Sequence, residues 1–442
     1  EAYEDLVKHV PKNGAFVETE DGYGNVCMVN LLRQTIKVKL DSDGDDSLRT
    51  YKTNEFITVP GGRPKDGEPL PNVFTYVPEE EEVEEETVNN WNIPMVVEDA
   101  PAVVEEAARM EEAGKHILKL NIGNPAPFGF TAPEEVIQDM RDNIVDSQGY
   151  SDSRGIFSAR KAIMQYAQIK KIPNVTMKDV FTGNGASELI QLSLNALLNT
   201  GDEVLIPSPD YPLWTACTNF SGGTAVHYIC DESSDWQPDL DDIRKKITPN
   251  TKGIVVINPN NPTGAIYPEA DLKKLADLLR SKQKEYGHAI YLISDEPYRE
   301  IAFSGFEVPW LPKIYKDTIV CYSFSKSLSL PGERIGYIAI GRKMPENREI
   351  YAAICGAGRA LGFVCAPSMM QRVVAENLGK TADISVYQTN RDLLYNSLTE
   401  YGFECVHPDG AFYLFVKALE ENSRDFCEKA KKYELLLVPG DS

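Results

Sequence analysis

The fold is decided by Thr318-Ile-Val-Cys-Tyr-Ser-Phe-Ser-Lys326, an apolar run that ends in a turn with two hydroxyls and a lysine. This run predicts a buried strand over Thr318–Ser323. Six more apolar, β-rich runs occur in the same part of the chain, at residues 179–182, 203–206, 225–229, 253–257, 289–294 and 336–340. Helical patterns such as 188–198 and 269–284 separate several of them. Strands that are apolar throughout and linked by helices predict an α/β fold with a large, mostly parallel seven-stranded sheet.

The lysine at the end of this strand is a candidate nucleophile. A lysine with a lowered pKa can form an imine with an aldehyde, and ligands of parallel α/β sheets bind beyond the carboxyl ends of the strands. The neighbouring Ser323, Ser325 and Arg334 suit a phosphate dianion. Taken alone, Lys326 could equally be a surface lysine in a polar turn.

Polar residues at three other predicted strand ends favour the chemical interpretation. Asp295 follows residues 289–294 and could pair with a protonated pyridine nitrogen, which makes such a ring a better electron sink. Asn261 follows residues 253–257 and could donate a hydrogen bond to a ring hydroxyl. The turn Gly183-Asn-Gly-Ala-Ser187 enters a predicted helix, whose free N–H groups and dipole would hold a phosphate. Each piece alone could be an ordinary loop, but four in this order indicate one site.

These motifs resemble those of the fold-type I, class I/II aminotransferases, which depend on pyridoxal 5′-phosphate (PLP). The resemblance covers residues 95–442 and is closest to the alanine and glutamate-pyruvate branch. Two further stretches carry it, Leu118-Lys-Leu-Asn-Ile-Gly-Asn-Pro-Ala-Pro-Phe128 and Gly149-Tyr-Ser-Asp-Ser-Arg-Gly155. It implies a large PLP-binding domain over 146–344 and a smaller α+β domain built from 95–145 and 345–442.

The resemblance also implies roles for individual residues. Lys326 would hold the cofactor as a Schiff base and shuttle the proton, Asp295 would pair with the pyridine nitrogen, and Tyr298 and Asn261 would contact the ring oxygen. Tyr211 would stack on the ring. The phosphate would be held by Gly185, Ala186, Ser187, Ser323, Ser325 and Arg334, with Tyr150 supplied by the other subunit of a homodimer. Gly123, Asn184 and Asn261 would lie near the substrate.

The implied reaction is ping-pong transfer of an amino group from an alanine- or glutamate-like amino acid to a 2-oxo acid. Two alternatives stay open from the sequence. One keeps PLP and changes the reaction to β-elimination or decarboxylation. The other is a PLP-binding regulatory protein with little turnover.

The end of the sequence differs from the family pattern. In these enzymes the segment that resembles Leu436-Leu-Val-Pro-Gly440 leads to an arginine that binds the substrate carboxylate, and no residue here takes that position. A bidentate guanidinium–carboxylate pair contributes much to substrate orientation. We therefore expect the 442 residues to bind PLP but to transaminate poorly.

The first 60 residues predict a separate module. Short strand patterns with turn signals between them indicate a small β-barrel-like fold. Two stretches, Pro11-Lys-Asn-Gly-Ala-Phe-Val-Glu-Thr19 and Val29-Asn-Leu-Leu-Arg-Gln-Thr-Ile-Lys-Val-Lys-Leu-Asp41, resemble the C-terminal end of bacterial polymerase-suppressor-homology regulators. Residues 61–94 are rich in proline and then glutamate, which predicts an extended acidic linker. An amphipathic helix is predicted over 101–113.

Composition limits the partners. The net charge is -22, which disfavours nucleic acid or an anionic membrane surface as the main partner. The 8 cysteines form no CxxC pair and no Cys/His cluster with metal spacing, so we expect reduced thiols and no metal site. No apolar run reaches the roughly 20 residues of a membrane helix. The expected location is the cytoplasm.

Overall fold

A computed structural model describes residues 11–30, 35–42, 48–52, 55–59, 62–64, 107–112, 114–121 and 123–440. The chain divides into two compact units, Glu1–Trp91 and Asn92–Ser442. Most of the predicted linker and the first half of the helix predicted over 101–113 lie outside the described residues. Residues 107–112 of that helix are helical (α1).

The first unit contains a five-stranded antiparallel sheet in the order β4-β3-β2-β1-β5. Its strands are β1 Phe16–Thr19, β2 Gly22–Asn30, β3 Thr35–Leu40, β4 Arg49–Lys52 and β5 Phe56–Thr58. Alternate residues of β3 are buried, and Ile36, Val38 and Leu40 pack with Val17 and Val26. The predicted short strands are present, but the described sheet is open, with β4 and β5 at its edges.

The second unit is built around a larger sheet, which has eight strands among the described residues, in the order β10-β9-β8-β11-β12-β13-β14-β7. Its strands are β7 Val180–Gly183, β8 Glu203–Ser208, β9 Thr224–Asp231, β10 Gln237–Pro238, β11 Thr251–Ile257, β12 Tyr291–Asp295, β13 Thr318–Ser323 and β14 Gly336–Ile340. Strands β9, β8, β11, β12 and β13 are parallel, and β14 runs antiparallel to both β13 and β7. The seven predicted strands are present. The two-residue edge strand β10, which pairs antiparallel with β9, was not predicted.

Helices surround this sheet. After α1 they are α2 Glu134–Asn143, α3 Phe157–Ile169, α4 Ala186–Leu197, α5 Leu213–Phe220, α6 Leu240–Lys246, α7 Glu269–Tyr286, α8 Leu311–Ile314, α9 Phe324–Ser327, α10 Asn347–Ala360, α11 Ser368–Asn377, α12 Ser385–Glu400 and α13 Ser423–Lys431. Short 3₁₀ turns occupy Ala126–Phe128, Val145–Ser147, Met177–Asp179, Glu232–Ser234 and Pro331–Glu333. None of the described helices is both long and apolar enough to cross a membrane.

The core lies on both faces of the sheet because successive strand side chains point in opposite directions. On one face, Val255 and Ile257 of β11 pack in a cluster with α4 and α5. On the other face, Ile254 and Val256 pack in a cluster with α7. Burial on both sides explains why these strands are apolar throughout.

A two-stranded parallel ribbon joins distant parts of the second unit. Strand β6, Leu118–Lys119, pairs with β15, Leu435–Leu436. The segment that leads to Gly123 is therefore held beside the last described strand of the chain.

Candidate active site

The register of the large sheet places the ends of several strands side by side. Ile257 at the end of β11 pairs with Asp295 at the end of β12, which in turn pairs with Cys321 of β13. Gly336 at the start of β14 pairs with Ser323 on one side and with Gly183 on the other. The antiparallel direction of β14 thus brings the glycine turn after β7 to the same edge of the sheet as the lysine segment after β13.

Lys326 lies at this edge in the short helix α9, which is capped by the Ser323 hydroxyl. Its Nζ donates a hydrogen bond of 2.6 Å to the carbonyl oxygen of Gly123. The amine also lies 5.1 Å from the ring centre of Phe412. Burial, with a smaller effect of the Arg334 guanidinium, lowers the pKa of Lys326 to about 8. About a tenth of the amine is therefore neutral and nucleophilic at pH 7.

Asp295 is a buried carboxyl group with one oxygen in use and one left over. Its Oδ2 accepts a hydrogen bond of 2.9 Å from Nε1 of Trp214. Its Oδ1 is also buried and has no hydrogen-bond partner among the described residues. Burial, opposed by the Trp214 hydrogen bond and aided by the nearby charge of Glu296, raises the pKa of Asp295 to about 7. A cationic N–H group brought to Oδ1 would satisfy this oxygen and favour the charged carboxylate.

A buried ion pair holds the loop that carries Asp295. Arg299 Nε donates to Glu296 Oε2 at 2.5 Å, and its two terminal nitrogens donate to the carbonyl oxygens of Val308 and Pro309. The guanidinium also stacks 3.8 Å from the ring centre of Trp310. These contacts fix the segment that directly follows Asp295, with one member of the pair on each side of Tyr298.

The glycine turn after β7 forms a cradle for an anion. Gly185 has φ +82° and immediately precedes α4, so the N–H groups of the first helical turn face away from the helix without internal partners. Glu188 accepts hydrogen bonds from the backbone N–H and the side-chain amide of Asn184, which fixes the shape of the turn. A Cβ atom placed on Gly185 would lie 2.6 Å from a terminal nitrogen of Arg334. The guanidinium therefore lies directly against the turn.

Two hydroxyls and a constrained arginine complete this cradle. The Ser323 and Ser325 hydroxyls are 2.8 Å apart, and both residues are buried. Arg334 adopts a left-handed backbone conformation with φ +50°, and its Nη1 donates to the Pro331 carbonyl at 2.9 Å. Ala186 is partly buried and Ser187 is exposed.

Tyrosines lie on the remaining sides of the site. The hydroxyls of Tyr298 and Tyr413 are 2.6 Å apart. Burial raises the pKa of Tyr211, with a further increase from the charge of Asp295 and a decrease from that of Arg334. Asn261 follows β11 four residues after Ile257 and is partly buried.

The structure brings most of the predicted residues to one place, and Tyr150 is the exception. Its side chain is 92% exposed within a single chain. Several residues of the site were missed from the sequence, namely Trp214, Glu188, Glu296, Arg299, Phe412 and Tyr413 in its contact with Tyr298. Trp214 could have been picked out from the sequence, because it lies three residues, about one helical turn, after the candidate Tyr211. The others could not, because their contacts depend on the folded loops.

These features fit PLP in both charge and shape. The cradle of N–H groups, hydroxyls and guanidinium suits a phosphate, the buried amine suits an aldehyde, and the unpartnered Oδ1 of Asp295 suits a protonated ring nitrogen. Together with the sheet topology, this site defines a fold-type I PLP-dependent enzyme.

Comparison with known proteins agrees with this class. The family model described as aminotransferase class I and II matches residues 115–442. The chain belongs to this family, its cofactor is PLP, and its reaction is transfer of an amino group.

Individual relatives and solved structures carry compatible names. The glutamate-pyruvate aminotransferase AlaA of Escherichia coli K12 is 44% identical over 326 residues, which cover 71% of this chain and 78% of that protein. An alanine aminotransferase of Mycobacterium bovis is 43% identical, with coverages of 71% and 74%. An aminotransferase structure from Eubacterium rectale has a TM-score of 0.73 at 40% identity and covers 77% of this chain and 87% of that chain. The alternatives of other PLP chemistry and of a regulator with little turnover are not favoured.

The first prediction concerns the phosphate cradle. Gly185→Ala should weaken PLP binding about tenfold or more, because the added methyl group would displace the Arg334 guanidinium. The measurement is the dissociation constant from a titration of the visible absorbance band. Gly287→Ala is the matched control, since Gly287 also has positive φ, +79°, but a Cβ there meets nothing within 4 Å. Equal affinity of the two variants would contradict the proposed cradle.

The second prediction concerns the buried Asp295 carboxyl group in the cofactor-free protein. Its folded-state pKa of about 7 lies above the ordinary value of 3.8, so its charge opposes folding increasingly as the pH rises from about 4 to about 7. Asp295→Asn removes this penalty and keeps an acceptor for Trp214. Its free energy of unfolding should exceed that of the parent by about 2–4 kcal/mol at pH 8 and by much less at pH 4.5.

Urea unfolding at the two pH values measures this difference. Asp277→Asn is the control, because the Asp277 side chain is 77% exposed and should give little change at either pH. Asp295→Asn should also bind PLP more weakly. A variant with the same stability difference at pH 4.5 and pH 8 would be inconsistent with a buried, unpartnered carboxylate.

Proposed function

We propose that this protein transfers amino groups between alanine or glutamate and the 2-oxo acids pyruvate and 2-oxoglutarate. The names of the relatives at 43–44% identity support this substrate class. The observation that carries the proposal is the combination of a buried amine at Lys326 with an unpartnered carboxylate oxygen at Asp295.

The site residues are assigned roles on the same proposal. Lys326 bonds the cofactor, and Asp295 holds the proton of its ring nitrogen. Asn261 and Tyr298 contact the ring oxygen, and Tyr211 stacks on the ring. Gly185, Ala186, Ser187, Ser323, Ser325 and Arg334 hold the phosphate. Gly123 and Asn184, with Asn261, line the substrate side.

These residues divide the chemistry among them. PLP, when bound, supplies an aldehyde for amines and a ring that accepts the electron pair released at the substrate Cα. The neutral amine of Lys326 accepts the Cα proton and later donates it, because its lowered pKa suits both steps near neutral pH. Asp295, once paired, stays charged and keeps the ring nitrogen protonated. In the chain without cofactor, the Gly123 carbonyl fixes the position of the amine.

A homodimer is part of this proposal. Tyr150 is assigned to the phosphate, yet its side chain is 92% exposed within one chain, as expected for a residue that reaches the site of a second copy. The cytoplasm is the proposed location, supported by buried thiols at Cys217, Cys230 and Cys321, which suit a reducing compartment.

We also propose the division into a large domain at 146–344 and a smaller one built from 95–145 and 345–442. The pairing of β6 with β15 supports it, because it joins the two segments assigned to the smaller domain. Residues 1–60 form the separate β module and 61–94 the linker.

The third prediction tests the reaction. The PLP-loaded protein incubated with L-alanine and 2-oxoglutarate should form pyruvate and glutamate in equal amounts, even at the low rate expected from the sequence. Lys326→Ala should lose the visible band of the bound cofactor and at least about 10³-fold of the turnover, because both the covalent link and the proton carrier are removed. Lys284→Ala, at an exposed position of α7, should retain both properties. Pyruvate formation at an unchanged rate in Lys326→Ala would refute the assignment of the lysine. Release of pyruvate and ammonia from L-serine, which carries a Cβ leaving group, with no 2-oxo acid present would indicate elimination chemistry instead.

The fourth prediction tests the shared site. Sedimentation should give the mass of two chains, and Tyr150→Glu should weaken PLP binding about tenfold or more, since a carboxylate beside the phosphate repels it. Tyr433→Glu is the control, because Tyr433 is 79% exposed and lies outside the assigned site. A monomer that binds PLP with full affinity would exclude the shared site.

A further inference from the structure

Tyr413 is a partly buried neighbour of the site with a specific contact to one assigned residue. Its hydroxyl lies 2.6 Å from the hydroxyl of Tyr298, a typical distance for an O–H···O hydrogen bond. The two residues are 115 positions apart in the chain. Their rings meet edge to face with centres 5.5 Å apart, and Phe412 packs against both. The geometry of the pair is therefore fixed by packing.

The same hydroxyl lies against the backbone that holds the lysine. A Cβ on Gly123 would be 3.1 Å from the Tyr413 hydroxyl oxygen and 3.0 Å from the Phe412 ring. The Gly123 carbonyl accepts the hydrogen bond from Lys326. Tyr413 thus contacts the Tyr298 hydroxyl on one side and the lysine-binding backbone on the other.

The number of protons on the two hydroxyls determines which tyrosine donates the hydrogen bond. A tyrosine hydroxyl has one proton to donate and can accept hydrogen bonds at its oxygen. If Tyr298 donates its proton to the ring oxygen of the cofactor, the proton between the two tyrosines must come from Tyr413. A hydroxyl that accepts a hydrogen bond becomes a stronger donor itself, because hydrogen bonds in a chain polarise one another.

We propose that Tyr413 is a positioning residue that orients the Tyr298 hydroxyl and strengthens its hydrogen bond to the cofactor ring oxygen. This inference rests on the proposed function, specifically on the role of Tyr298. Tyr413 acts through Tyr298 and does not itself touch the reacting atoms. Its effect reaches Lys326, because negative charge stabilised on the ring oxygen favours loss of the proton shared with the lysine nitrogen.

The fifth prediction is a spectral titration of the PLP-loaded protein against pH. Tyr298→Phe should raise the midpoint of the change in visible absorbance by about one pH unit, because the donor to the ring oxygen is lost. Tyr413→Phe should raise it by about half as much. The double variant should show the same midpoint as Tyr298→Phe alone, since Tyr413 acts only through Tyr298. Tyr433→Phe, at an exposed position, should leave the midpoint unchanged.

A thermal unfolding curve of each variant checks that the fold is retained, and each substitution removes a single oxygen atom. Tyr413→Phe without a shift, where Tyr298→Phe does shift the midpoint, would overturn this inference and leave the proposed function standing. A shift from Tyr413→Phe that is equally large in the Tyr298→Phe background would also overturn it, because the residue would then act directly. A parent protein that develops no visible band with PLP would overturn both proposals.

Discussion

The site depends on a carboxyl group buried with only half of its hydrogen-bonding capacity used. Removing a charged carboxylate from water costs several kcal/mol unless partners replace the solvent, and Asp295 has one such partner in the indole of Trp214. The surrounding structure has to tolerate this cost in the absence of cofactor. The ladder of β12 holds Asp295 itself, and the Glu296–Arg299 pair with the stacked Trp310 holds the segment that follows it. Part of this cost of removing the carboxylate from water is recovered when a cationic ring nitrogen donates a hydrogen bond to its unpartnered oxygen.

The antiparallel strand β14 explains how the phosphate cradle after β7 and the lysine segment after β13, which are far apart in the chain, come to lie at the same edge of the sheet as this carboxyl group. In an entirely parallel sheet, connections between neighbouring strands need crossover helices, which separate the segments along the chain. Here β14 returns directly after the lysine segment and pairs with β7 on its other side. The phosphate cradle and the amine are consequently held by one hydrogen-bonded ladder, and their spacing follows from its register.

The sequence predicted the strands of the large sheet well because burial on both faces leaves a continuous apolar signal. The bounds of β13 and β14 agree fully, and β8 was only shortened, ending at 206 where the strand continues to Ser208. Lys326, Asp295 and Asn261 were singled out as candidates because each follows such a strand. By contrast, β10 has two residues and no periodicity to detect, and the partner of Tyr298 lies 115 residues away. Contacts of this kind depend on how loops close over the sheet, which local patterns do not encode.

The ribbon formed by β6 and β15 has a mechanical consequence. It is two residues long on each side, and such short pairings open more readily than the central sheet does. The carbonyl that holds the resting amine of Lys326 stands only four residues beyond Lys119. Opening of the β6–β15 pairing would therefore loosen the Gly123 carbonyl and, with it, the position of the Lys326 amine in the chain without cofactor. The placement of this amine thus depends on a short ribbon that lies outside the large sheet.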